Sequence, residues 1–122
     1  MCSILLSYQM TDDWIWQIAA NRDEYLDRAA LPPRVLVQRP KIVGGQDLLS
    51  GGTWFAINPQ AQMFAGLTNR RLGTVTGWQG AHSRGHLIPH LLAASCAREA
   101  KERLESVLST QTVNHFMMLF GD

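Results

Sequence analysis

A cysteine stands second in the chain, and four polar residues of mixed charge, Asn21, Arg22, Asp23 and Glu24, interrupt an otherwise apolar run some twenty positions later. Cys2 is small enough for methionine aminopeptidase to remove Met1. The freed α-amine, with a pKa of about 7.7–8, would then share a residue with a thiol of pKa about 8.5, so a single residue supplies both base and nucleophile. Such a residue can open an amide through a thioester, given an oxyanion hole of backbone N–H groups or an Asn. The plain alternative is a small apolar residue at the start of a strand.

Charged side chains are seldom buried without partners, so Asn21–Arg22–Asp23–Glu24 is either a solvated turn or a paired polar site at a pocket edge. In the second case Asp23 can hold or orient the α-ammonium of Cys2, and Arg22 can pair with Asp23 or with a substrate carboxylate. Three more guanidiniums, Arg70, Arg71 and Arg84, with Asn69 as an amide donor, lie in "TNRR" and "SRG". They suit either an anion such as a carboxylate, phosphate or propionate, or ordinary surface ion pairs. Trp54 follows Gly51 and Gly52, where a backbone can approach a ligand closely, and is either core or pocket lining. His82, His86 and His90 fall at i,i+4 spacing, but Gly85 and Pro89 interrupt the helix that metal binding would need, and neither HExxH nor CxxCH occurs. The expectation is a site without metal.

These residues need elements to carry them. Cys2, Ile4, Leu6 and Tyr8 alternate with Ser3, Leu5 and Ser7, and Trp14–Ala20 alternates likewise, which predicts an antiparallel hairpin. Its pairing brings the end of the second strand beside the start of the first, so Arg22 and Asp23 should approach Cys2. Residues 26–52, with Pro32, Pro33 and Pro40, read as an irregular connection. A second hairpin is expected around Asn58–Pro59–Gln60, and its outgoing arm ends at Asn69–Arg70–Arg71. Ser83 is an N-cap candidate for a helix carrying Leu87, Leu91 and Leu92, with Pro89 pushing its start towards Ile88. A firmer helix covers 97–108, with Glu99 and Arg103 at i,i+4 and an apolar stripe of Leu104, Val107 and Leu108. "NHFMMLFGD" reads as a buried strand running into a turn signal at the end of the chain, which suggests the N-terminal part of a longer domain.

With 122 residues, 46% of them hydrophobic and 17% charged, the chain can build one domain with a core. A net charge of +1 offers no broad field for nucleic acid or an anionic membrane. No apolar run approaches a membrane span, and the opening residues lack a secretory pattern, which predicts a cytoplasmic protein. Cys2 and Cys96 lack CxxC spacing and are expected as free thiols.

Together "MCSILL", "AANRDE", "RP", "DLLSGGTWFAIN", "FAGLTNRR", "SRGHL" and "FMMLFGD" resemble, in order, the signature segments of the NRDE protein family, also called the transport and Golgi organisation family. The resemblance covers almost the whole chain. It implies an α+β, N-terminal nucleophile hydrolase-like fold, with two stacked antiparallel sheets between helical layers (αββα), truncated here because family members run on past the FxxLxGD segment. It also implies that Cys2 occupies the nucleophile position. Related cysteine amidases carry R-N-x-D, and here Asp23 matches while Ala20 stands in the Arg position. Members have been tied to haem trafficking, to lipid or acyl-CoA metabolism and to secretory-pathway organisation. The expected function is therefore binding of a small hydrophobic anionic ligand, haem being the favoured cargo and acyl-CoA another. The alternatives are an amidohydrolase using Cys2, and a fragment without function. Cys2, Asn21, Arg22 and Asp23 are the catalytic candidates; Glu24, Trp54, Asn69, Arg70 and Arg84 are the ligand-binding ones.

Overall fold

The computed structural model describes residues 2–70 and 82–122. Two antiparallel strands, β1 (Ser3–Thr11) and β2 (Trp14–Asn21), form the expected first hairpin. Five more make an antiparallel meander in the order β3 (Ala30–Val37), β4 (Ile42–Asp47), β5 (Phe55–Asn58), β6 (Met63–Asn69) and β7 (Phe116–Gly121). A short 3-10 turn at Arg84–His86 leads into α1 (Leu87–Leu92), followed by α2 (Ala97–Thr110). The protein has an α+β fold with antiparallel sheets.

Alternation along β6 explains the layering. Met63, Ala65 and Leu67 are buried in one cluster with Ile88, Leu91, Leu92 and Ala100 of the two helices, so the odd positions face the helical layer. The even positions face the hairpin. A Cβ on Gly66 would come within 2.8 Å of Ile4 Cδ1, and the Trp16 ring lies 5.5 Å from Phe64 at 60°. Tyr8 stacks behind Trp16 at 4.5 Å. The described residues therefore stack as helices, five-stranded sheet and two-stranded sheet, with Leu5 and Ile15 exposed on the hairpin.

The expectation of an irregular connection over residues 26–52 was wrong for its central part, since β3 and β4 fill it. Pro32 and Pro33 fit because β3 is the edge strand and its register shifts between Leu31 and Arg34. A residue without an N–H is tolerated at a bulge or on an outer edge. Near Ser83 the chain enters the 3-10 turn, no side-chain cap bond forms, and α1 begins one residue before Ile88. Pro89 thus falls in the first turn, where its missing N–H does no harm. The Asn58 turn is as expected: Oδ1 accepts from the N–H of Gln60 (3.0 Å) and Ala61 (3.1 Å), while Nδ2 donates to the Leu92 carbonyl (2.8 Å) and ties the hairpin to α1. Both cysteines are free thiols. Among the described residues no helix is long and apolar enough to cross a membrane.

Candidate functional site

The register of the first hairpin decides where the chemistry gathers. Ser3 pairs with Asn21, so one step further along both strands Cys2 comes opposite Arg22. Both line a cleft of about 80 Å³ whose other walls come from Asp47 at the end of β4, Gly52–Trp54, Asn69 at the end of β6, and Ser83–Gly85. Six separate stretches of sequence meet here.

Asp47 organises them. Its Oδ2 accepts from Arg22 Nη2 (2.7 Å) and Arg28 Nε (2.8 Å). Its Oδ1 accepts from the N–H groups of Leu49 (3.1 Å) and Ser50 (2.9 Å) and from the Ser50 hydroxyl (3.1 Å). Only 7% of the residue is exposed. Burial by itself would raise the carboxyl, but the Ser50 N–H and the Arg22 and Arg28 guanidiniums outweigh it and hold the group well below the usual carboxylate range. Arg22 is further fixed by a bond to the Arg28 carbonyl (3.3 Å) and by lying 5.2 Å over the Trp54 ring. Arg28 completes the network with Glu24 at 3.2 Å.

The turn after Asp47 is tight, with Gly51 at φ +72°, a conformation that glycine adopts without a Cβ penalty. His86 Nε2 lies 2.9 Å from the Ser50 carbonyl; since a carbonyl only accepts, that ring nitrogen carries the proton. Beside it two backbones cross in contact. The Thr53 N–H donates to the Gly85 carbonyl at 3.1 Å, and a Cβ on Gly85 would come within 2.9 Å of the Thr53 N and O atoms. Gly52 and Gly85, the last glycines of "SGG" and "SRG", are thus demanded by close approach, and the crossing sets Arg84 at the cleft. Arg84 Nη1 donates to the His115 carbonyl at 2.8 Å. Burial draws its guanidinium below the ordinary value, Arg28 adds to this, and charge on Cys2 would oppose it.

Of the residues singled out from sequence, Cys2, Arg22, Glu24, Trp54, Asn69 and Arg84 share the lining. Asn21 and Asp23 lie outside it on the exposed strand end, where Asn21 Nδ2 donates to Asp23 Oδ1 (3.2 Å). Arg70 is exposed, and its backbone N–H donates to the His115 carbonyl (3.1 Å). Arg71 lies outside the described residues. Sequence reasoning missed Asp47 and Arg28. An Asp followed three residues later by Ser-Gly-Gly is a turn signal in which the carboxylate caps backbone N–H groups, and Glu24–Arg28 has i,i+4 spacing, but neither pattern reveals that Asp47 reaches Arg22. Among the described residues no group of three or more His, Cys, Asp or Glu side chains is arranged to hold a metal ion.

No curated protein matches the chain. The family model described as Transport and Golgi organisation 2 matches residues 1–122, the whole of the sequence that carries this cleft. The chain belongs to the Transport and Golgi organisation 2 family.

Proposed function

We propose that the cleft is an N-terminal cysteine hydrolase site that cleaves the C–N bond of a small amide. The observation that carries this reading is the hairpin register, which sets Cys2 against Arg22 in one cleft with Asn69 and Arg84. With Met1 removed, the α-amine takes the thiol proton as the sulfur attacks the carbonyl carbon. Asn69 is assigned to donate to the oxyanion. Collapse breaks the C–N bond, and the departing nitrogen takes the proton from the α-ammonium, leaving a thioester on Cys2. Water then attacks, giving up a proton to the amine, and the acid leaves as the thiol re-forms. Asp23, which follows Arg22 in sequence just beyond β2 and outside the cleft lining, is the carboxylate assigned to orient the ammonium from the cleft's edge, while Arg22 is a positioning residue held by Asp47.

The excess of guanidinium in the lining supports a second reading, binding of an anionic hydrophobic ligand such as haem or an acyl-CoA. The cleft of about 80 Å³ is well below the roughly 300 Å³ of small ligand pockets. Only an acidic end of such a ligand enters, with the body lying across the mouth. Titration with haemin reports this directly, since the Soret band shifts saturably if a defined site exists.

Intact mass spectrometry tests the hydrolase reading in two steps. The purified protein should lack Met1, and quenching a reaction with a chromogenic amide should leave the acyl mass on Cys2 and none on a Cys2→Ala variant. A retained methionine, or undiminished turnover by Cys2→Ala, removes the hydrolase reading.

A further inference from the structure

We propose that Arg84 anchors a single carboxylate on the substrate, and that the amide cleaved is the monoamide of a short dicarboxylic acid. The carboxylate part stands on the charge arrangement of the cleft; the cleavage part rests on the hydrolase reading above.

Arg22 is committed to Asp47 at 2.7 Å, and Arg28 to Asp47 at 2.8 Å and Glu24 at 3.2 Å. Two cations and two carboxylates therefore neutralise one another. Arg84 differs. Its hydrogen bond goes to the neutral His115 carbonyl, and among the described residues no carboxylate forms an ion pair with it. A guanidinium partly withdrawn from water without a counter-ion is an unfavourable state that an incoming anion relieves. The burial that lowers its proton affinity is consistent with this withdrawal.

The size of the surplus selects the anion. One uncompensated cation matches a monoanionic carboxylate, whereas a phosphate dianion brings a second charge that no free cation of the described lining meets. The size of the cleft selects the rest. A space of about 80 Å³ shared by Cys2 and Arg84 requires the carboxylate to lie within a few bonds of the carbonyl that the sulfur attacks. A chain of two or three methylenes between the two groups meets that requirement, with the leaving nitrogen at the open mouth.

The probes are succinamate and its neutral isostere succinamide, titrated calorimetrically into the full chain carrying Cys2→Ala so that nothing turns over. Succinamate should bind about 10- to 100-fold more tightly than succinamide, the effect expected of a charge-assisted hydrogen bond. Arg84→Gln, which removes the charge and keeps a polar amide, should abolish that preference, and Arg84→Lys, which keeps the charge, should retain part of it. Thermal melts of both variants accompany the titrations; should Arg84→Gln fail to fold, the lysine variant and the weakening of succinamate binding with added salt in the Arg84 protein decide. Equal affinities for the two probes, a preference that survives Arg84→Gln, or inorganic phosphate binding more tightly than succinamate would each overturn the proposal. In parallel, the protein with Cys2 intact is assayed for ammonia released from succinamate. If binding behaves as expected but no ammonia appears, the carboxylate anchor stands and the cleavage part of the proposal falls, while the acyl-enzyme measurement decides the hydrolase reading separately.

Discussion

Replacing Asp47 by Asn should destabilise the protein by about 3–5 kcal/mol at neutral pH, the range for removing one charge from a buried pair. Asparagine preserves the size of the side chain and keeps an oxygen to accept from the Leu49 and Ser50 N–H groups. What it removes is the acceptor of two charge-assisted bonds, from Arg22 at 2.7 Å and Arg28 at 2.8 Å, each worth about 1.5–3 kcal/mol. It also sets an NH₂ donor against two guanidiniums, one of which has a side chain only 15% exposed. Urea unfolding followed by tryptophan fluorescence measures the difference directly. The pH dependence provides an independent check on sign. Asp47 is held well below the ordinary carboxylate range in the folded protein, so the unfolded chain binds the proton more readily. Its contribution is fully present above the unfolded value of about 4 and drains away as pH falls towards the folded value. The gap between wild type and Asp47→Asn should therefore narrow between pH 6 and pH 3. A gap under about 1 kcal/mol at pH 7 would refute the clamp. So would a larger gap that stays constant down to pH 3.

Two further substitutions and one titration probe separate joints of the fold. Gly85→Ala would bring a Cβ within 2.9 Å of the Thr53 backbone, so the crossing must open; a loss of about 1–3 kcal/mol in denaturant unfolding is expected, together with weakened succinamate binding. Asn58→Ala leaves the Leu92 carbonyl and two turn N–H groups without their partner and should cost about 1–3 kcal/mol, again read by urea. Glu99 is held at about 2 by the Ser95 N–H and hydroxyl and by Arg103, so carbon NMR of its carboxyl should show it ionised through pH 4, with its small contribution to stability drained progressively as pH falls from its ordinary unfolded value towards about 2. A Glu99 carboxyl titrating at its ordinary value would show that this cap does not persist in solution.

The first hairpin was legible because side-chain period and strand length agree over Ile4–Tyr8 and Trp14–Ala20, and its register, which pairs Ser3 with Asn21, carries Cys2 and Arg22 to the same cleft. The helix expected over 97–108 and found over Ala97–Thr110 was legible for the same local reason. The edge strand was not: Pro32 and Pro33 are signals against a strand interior, and nothing in the chain says that this strand would be outermost. Asp47 escaped because its partners, Arg22 and Arg28, lie 25 and 19 residues away, in the segment between β2 and β3 whose path the local sequence pattern does not set.

The order of residues determined which side chains are able to do chemistry here: a thiol next to the initiator methionine, a mixed-charge tetrapeptide at a strand end, and glycines spaced for close backbone approach. It also determined the periodicities that form the hairpins and helices. Which arginine is neutralised and which is left facing the cleft without a counter-ion was decided by the stacking of the two sheets and the crossing of Gly52 with Gly85. Periodicity is a property of neighbours in sequence, whereas the pairing of charges depends on distances that exist only once the layers have packed.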